Sequence, residues 1–340
     1  MAVFTELSRA DIDALLTDNE LDALVDYTGV EEGTENTTYL VDGARARYVV
    51  SVFERWVEPQ DIPFFVDLLT RLSDAGVPCP RPVAGRDGRA ITSVAGRPAL
   101  VTSFLPGRPV DDPAPEACRG CGRVLADIHR VTEGIDSHRP NMLSLTDWYG
   151  LLDACGTRLD SIADGLHAEL ARALDRVAAA WPGDDLPRGV IHGDLFPDNL
   201  FFASAGAATT AGPAADPAAD PAADDVSGVI DFFFAAHEVL AYDLAVSLAS
   251  WAFDGRGRFE PARARAMIAG YGERRTLSPA EAAGLPVLTQ GAALRFTLTR
   301  AYDWLNPKPD ARIRPKDPLA MMPRLRLFLD QPRAIADACG

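Results

Sequence analysis

The stretch Val190-Ile191-His192-Gly193-Asp194-Leu195-Phe196-Pro197-Asp198-Asn199, followed later by Val229-Ile230-Asp231-Phe232, decides how this chain is read. The five-residue step from Asp194 to Asn199 suits a turn that aims two polar side chains at one spot, while Leu195 and Phe196 anchor it in apolar surroundings. Leu200-Phe201-Phe202 and Gly228-Val229-Ile230 read as short apolar strands. Paired as a hairpin, they carry Asn199 at one mouth and Asp231 at the other. Three side chains able to take a proton or hold Mg²⁺ thereby converge. An H-x-D triplet alone occurs by chance, and a lone residue such as His192 is more often a buried hydrogen-bonding group than a catalyst. The flanking strands and Asp231 carry the argument.

Working outward, 340 residues suffice for two lobes with a core each. The formal net charge of −16 disfavours nonspecific nucleic-acid binding, which needs Lys and Arg to neutralise phosphates, and repels anionic membranes. The only lysines are Lys308 and Lys316; every other cation is an arginine or histidine. Five scattered cysteines argue against a disulfide framework, and Cys118-Arg-Gly-Cys121 lacks the second ligand pair of a zinc site. No basic-then-apolar leader and no apolar run of membrane-spanning length is apparent, so a cytoplasmic location is expected.

Residues 8–26 read as an amphipathic helix capped by Ser8. Tyr27 to Val41 reads as strand, polar turn, strand, and Tyr48–Phe53 as a further strand. A helix over 61–75 stops at Pro78 and Pro80, and a strand over 99–105 exits at Pro106-Gly107. Helices are expected over 115–130, 146–180, 239–253, 261–273, 279–305 and 318–330. The pattern predicts an α+β architecture, with a small antiparallel lobe over 1–106 and a mostly helical lobe over 107–340. Residues 203–226, with their repeated Ala-Ala-Asp-Pro, lack large apolar side chains and read as a lengthened, solvated hairpin loop.

The step from Asp194 to Asn199 is that of the phosphoryl-transfer loop H-R-D-x-x-x-x-N, with Gly193 in place of the Arg. Together with Gly76-Val77-Pro78-Cys79-Pro80-Arg81-Pro82-Val83, Arg139-Pro140-Asn141 and Ala241-Tyr242-Asp243-Leu244-Ala245, it resembles the aminoglycoside phosphotransferase/choline kinase family over almost the whole chain. That family has a two-lobe, protein-kinase-like fold. The run from Gly291 to Asn306 is most similar to its homoserine kinase branch. The resemblance implies ATP-dependent phosphorylation of L-homoserine, a step of threonine biosynthesis, with Mg²⁺. It implies that Asp194 is the base and that Asn199 and Asp231 are metal ligands. The turn containing Gly33, Thr34 and Asn36 would cover the ATP phosphates, and Ser103 to Leu105 would pair with adenine through the backbone. Asp243 would orient the loop near Asp231, and His129 would brace it.

Two departures stand out. Ser51 occupies the place of the usual phosphate-binding Lys, and the partner Glu is also missing; Arg55 is a candidate replacement. After Asp231, Phe232-Phe233 replaces Phe-Gly and no Ala-Pro-Glu follows, which favours a small-molecule acceptor over a protein.

L-homoserine needs a cation for its carboxylate and an acid for its ammonium. Arg295, Thr299, Tyr302 and Asp303 fall at helical spacing on one face, so Arg295 is a candidate for the carboxylate and Asp198 or Asp303 for the ammonium. Choline would want an aromatic cage, for which Trp251, Tyr271, Tyr302 and Trp304 are available. An aminoglycoside would want a broad acidic groove. A binding-only pseudokinase and a metal-dependent hydrolase built on His192, Asp194 and Asp231 complete the alternatives.

Overall fold

A computed structural model describes residues 4–30, 36–54, 58–133, 135, 139–183, 185–203, 224–307 and 315–339. They fall into two compact units, one within Met1–Pro106 and the other from Gly107 onward.

The first unit opens with α1 (Arg9–Asp18), where Ser8 and Asp11 close a reciprocal capping box. The helix is shorter than its apolar pattern predicted. Asn19 caps it by donating to the Leu15 carbonyl at 2.7 Å, Glu20 turns to a φ of 54°, and β1 (Leu24–Gly29) begins inside the expected helical span. Next come β2 (Thr37–Gly43), β3 (Arg47–Val52), α2 (Ile62–Asp74), β4 (Ile91–Val94) and β5 (Arg97–Ser103). The strands form an antiparallel sheet in the order β1-β2-β3-β5-β4. Alternation along β2 and β3 sends Tyr39, Val41, Val50 and Val52 into one core with Ile12, Leu15, Leu16 and Val101.

The second unit contains α3 (Pro115–Thr132), α4 (Leu145–Cys155), α5 (Leu166–Ala180), β6 (Arg188–Ile191), β7 (Leu200–Phe202), β8 (Val226–Val229), β9 (Ala236–Val239), α6 (Leu240–Trp251), α7 (Pro261–Gly272), α8 (Pro279–Leu305), α9 (Met322–Asp330) and α10 (Arg333–Ala336). The helix expected over 146–180 is two, because Gly156 (φ 53°) and Gly165 (φ 73°) take positive-φ conformations that end one and start the next. The first four residues of the helix expected over 318–330 form a 3₁₀ turn instead.

β7 and β8 pair antiparallel, with Leu200 opposite Val229 and Phe201 opposite Gly228, as the apolar runs predicted. The connecting residues 204–223 lie outside the described residues. β6 pairs with β9, and Arg139-Pro140-Asn141 packs on β9: His237 N–H donates to the Arg139 carbonyl at 2.7 Å, and Asn141 donates to Glu238 at 3.1 Å.

α3 and α7 touch backbone to backbone. A Cβ on Gly122 would stand 2.1 Å from the Met267 carbonyl oxygen, and one on Gly270 would stand 2.1 Å from that of Arg119. Every residue of α6 is buried. Any ionised side chain on that helix must therefore be paired within the protein. Among the described residues, no helix is long and apolar enough to cross a membrane.

Candidate active site

The apolar strand β6 delivers the chain to His192, and the polar residues that follow are held from behind by α6. Asp243, fully buried on α6, accepts His192 N–H at 2.6 Å and Gly193 N–H at 2.9 Å. Its outer partner is His129 Nε2 at 3.1 Å. Burial alone would raise the Asp243 carboxyl. The bond to His129, the neighbouring His192 and the Gly193 amide outweigh it and hold the group below its ordinary range. The bracing continues outward: His129 Nδ1 meets the Tyr271 hydroxyl at 2.7 Å, Arg275 donates to that hydroxyl at 3.1 Å, and Arg275 pairs with the buried Glu281 at 2.8 Å. Trp251 donates its indole N–H to the Leu195 carbonyl at 2.9 Å.

His192 is scaffold rather than ligand. The amide of Asp194 donates to its Nδ1 at 3.2 Å, so Nε2 carries the proton and donates to the Ile230 carbonyl at 3.0 Å. One neutral tautomer satisfies both contacts. Burial lowers the imidazole's affinity for a second proton, consistent with that tautomer. Gly193 sits at φ 77°, and a Cβ there would lie 2.8 Å from the Phe234 carbonyl oxygen. This close, left-handed passage explains why the Arg of the H-R-D pattern is absent.

The three converging residues meet on this frame. Asn199 donates its Nδ2 to the Asp194 carbonyl at 2.8 Å, which commits the nitrogen and leaves the side-chain oxygen as the atom able to accept or ligate. Ile230 N–H donates to the Asn199 carbonyl at 3.0 Å, so the hairpin sets Asp231 next to Asn199. Asp231 has φ 65° and ψ 61°, a left-handed conformation that a non-glycine residue adopts only when its surroundings impose it.

Burial, opposed by Arg295 and reinforced by Asp231, pushes the Asp194 carboxyl up to about 7. Burial also raises Asp231, with His192 opposing. Asp231 nonetheless keeps an open surface to solvent, which limits that push. An amide oxygen and carboxylates form a hard, all-oxygen donor set that fits Mg²⁺ shared with phosphate oxygens. Among the described residues, no three His, Cys, Asp or Glu side chains gather to hold a metal without such a substrate.

The remaining candidates fall in different places. Arg295 reaches the loop, but it is 4% exposed and its Nη1 is committed to the Gly193 carbonyl at 2.8 Å. It lies over the Phe296 and Phe234 rings at 4.1 and 5.2 Å, and its Nε has no partner among the described residues. Asp198 is exposed and pairs with Lys316 at 3.3 Å. Tyr302 and Asp303 are exposed at the C-terminal end of α8, and Asp303 lies within electrostatic reach of Cys155 on α4.

In the first unit, Asn36 is buried and accepts Glu54 N–H at 3.3 Å. The Ser103 amide pairs with the Arg81 carbonyl at 2.9 Å, while Leu105 has neither backbone group engaged among the described residues. Gly33, Thr34 and Arg55 lie outside the described residues.

Sequence reasoning missed Arg300 on α8 beside Phe196. The available signal was the i,i+4 step from Phe296 to Arg300, since both side chains meet the Phe196 ring.

Residues 26–210 match the model of the phosphotransferase enzyme family. A homoserine kinase of Gluconobacter oxydans is 44% identical over 329 residues, covering 96% of this chain and 98% of that protein. One of Gluconacetobacter diazotrophicus is 43% identical, with 96% of each covered. Among solved structures, a microcompartment-associated aminopropanol kinase superposes with a TM-score of 0.65 at 20% identity, covering 98% of this chain and 99% of that one. The amicoumacin kinase hAmiN, solved in complex with AMP-PNP, Ca²⁺ and Ami, gives 0.61 at 16% identity, covering 97% and 96%. At these identities the likeness concerns the fold, which is α+β and protein-kinase-like.

Proposed function

The chain belongs to the phosphotransferase enzyme family, and on that premise we propose that it transfers the γ-phosphoryl group of ATP to the hydroxyl of L-homoserine, giving O-phospho-L-homoserine and ADP. The observation that carries this reading is the convergence of Asp194, Asn199 and Asp231 on a loop braced by Asp243. An Asp194 carboxyl titrating near neutrality is matched to accepting the acceptor's hydroxyl proton. The deprotonating oxygen bonds to the γ-phosphorus as the bond to the β,γ-bridging oxygen breaks, and ADP departs. Asn199 and Asp231 would hold Mg²⁺, which when bound offsets charge on the phosphate oxygens. Arg295 acts from behind, fixing the Gly193 carbonyl and lending positive charge near Asp194.

In this reading residues 1–106 are the nucleotide-binding lobe and 107–340 the catalytic lobe. The unengaged backbone of Leu105, next to Ser103, would take the adenine edge. The turn of Gly33, Thr34 and Asn36 would cover the phosphates. Asp198 would take the acceptor's ammonium, with Tyr302 and Asp303 farther along α8 as peripheral contacts.

ADP release measured across L-homoserine, choline and kanamycin tests the proposal. Turnover with L-homoserine at least tenfold above the other two is expected; turnover confined to choline or kanamycin would overturn it.

A further inference from the structure

The face that α8 turns to the catalytic loop is marked by Phe296 and Arg300, one helical turn apart. Phe196, two residues beyond Asp194, packs edge-on against Phe296 at 4.7 Å between ring centroids. Two cations reach the same ring, with Arg300 Cζ at 5.9 Å and Lys316 Nζ at 5.8 Å from its centroid. Their circumstances differ. Lys316 is exposed and tethered by Asp198 at 3.3 Å. Arg300 is half-buried and makes no hydrogen bond or ion pair with the described residues.

Burial works against the Arg300 charge, and Asp194, Asp198 and Asp317 support it only from a distance. Arg324 adds repulsion: its Nε and Nη1 are bound to the Ala249 and Ala320 carbonyls, which leaves its own charge uncancelled. A partly desolvated guanidinium that no acid contacts directly among the described residues is costly unless an anion completes it. Arg300 thus places a guanidinium without a hydrogen-bonded acid among the described residues close to the proposed base.

We infer that Arg300 binds the carboxylate of the acceptor, with Lys316 adding to the field, and thereby selects amino-acid alcohols over amino alcohols that lack a carboxylate. The planar guanidinium suits a carboxylate bidentately. The inference rests on the acceptor assignment above and names the residue that enforces it. Arg295, committed to the Gly193 carbonyl, then serves as a positioning residue.

The test compares L-homoserine with 3-aminopropan-1-ol, which is L-homoserine without its carboxylate, in wild type, Arg300→Met and Arg300→Lys. Wild type should favour L-homoserine in kcat/KM. In Arg300→Met that preference should collapse by roughly 10- to 100-fold, the range of a charge-assisted hydrogen bond, through a raised KM for L-homoserine while KM for ATP stays within about twofold. Arg300→Lys, which keeps the charge but not the fork, should fall between the two and covers the case in which the Met variant does not fold. Equal losses on both acceptors, or an unchanged preference, would overturn the role of Arg300 alone. A wild-type enzyme that prefers 3-aminopropan-1-ol would overturn the acceptor assignment and the inference with it.

Discussion

Replacing Asp243 by Asn probes the bracing of the catalytic loop. The carboxylate accepts from His192 N–H at 2.6 Å, Gly193 N–H at 2.9 Å and His129 Nε2 at 3.1 Å, all away from water. An Asn of the same shape offers one acceptor oxygen and turns an NH₂ group toward another donor. One buried donor is then unsatisfied, which costs about 1–3 kcal/mol, and one bond to a charged acceptor is lost, worth about 1.5–3 kcal/mol. The expected loss is about 2.5–6 kcal/mol, a large share of the 5–15 kcal/mol by which domains are ordinarily stable. Urea denaturation followed by circular dichroism at pH 7 reads it, beside kcat for L-homoserine.

The acid dependence has a definite sign. Asp243 is held below its ordinary value of 3.8, so its contribution is fully present above that value and lost as pH falls through the lower folded one. Wild type should show this loss in the acid limb, and the Asn variant should not. A variant within about 1 kcal/mol of wild type with unchanged kcat would refute the reasoning, because burying a donor without an acceptor would then have cost almost nothing.

Asp194→Asn should lower kcat by about 10²–10⁴-fold with little change in KM for ATP. The same change should stabilise the protein at neutral pH, because burial makes the ionised carboxyl unfavourable in the fold; a destabilised variant would contradict the site's electrostatics. The Asp194 value of about 7 also sets a pH profile: kcat/KM should fall about tenfold per unit below that value and level off above it, and a profile flat down to about pH 5 would remove Asp194 as the base. Gly193→Ala forces a side chain into φ 77° with its Cβ 2.8 Å from the Phe234 carbonyl oxygen, so thermal denaturation should show a loss of about 1–3 kcal/mol; a neutral substitution would mean that the loop's path is not fixed there.

The elements that sequence made legible are those fixed by local chemistry. The apolar runs at Leu200 and Val229 pair as read, because two short apolar strands flanking polar residues have few other ways to bury themselves. Helix α8 begins and ends where its apolar pattern does, with Ser278 and Glu281 closing its capping box. The misreadings come from tertiary geometry. Leu21 and Leu24 continue the apolar period of α1, yet Leu24 belongs to a strand that pairs with β2, farther along the chain, and periodicity does not register such a pairing. At α8, helical spacing grouped Arg295 with Tyr302 and Asp303, but only the first of these is buried against the loop. Which part of a helix faces a distant loop depends on packing. Phe196 fixes that face by meeting Phe296 and Arg300, and no window of sequence contains all three.

The most direct test of the central claim is ³¹P NMR of the purified protein with ATP, Mg²⁺ and L-homoserine. The account requires a phosphate monoester identical to O-phospho-L-homoserine, appearing in equal amount to ADP and formed about 10²–10⁴-fold more slowly by the Asp194→Asn variant. ADP accompanied only by inorganic phosphate, or an ester formed equally well by the Asn variant, would contradict it.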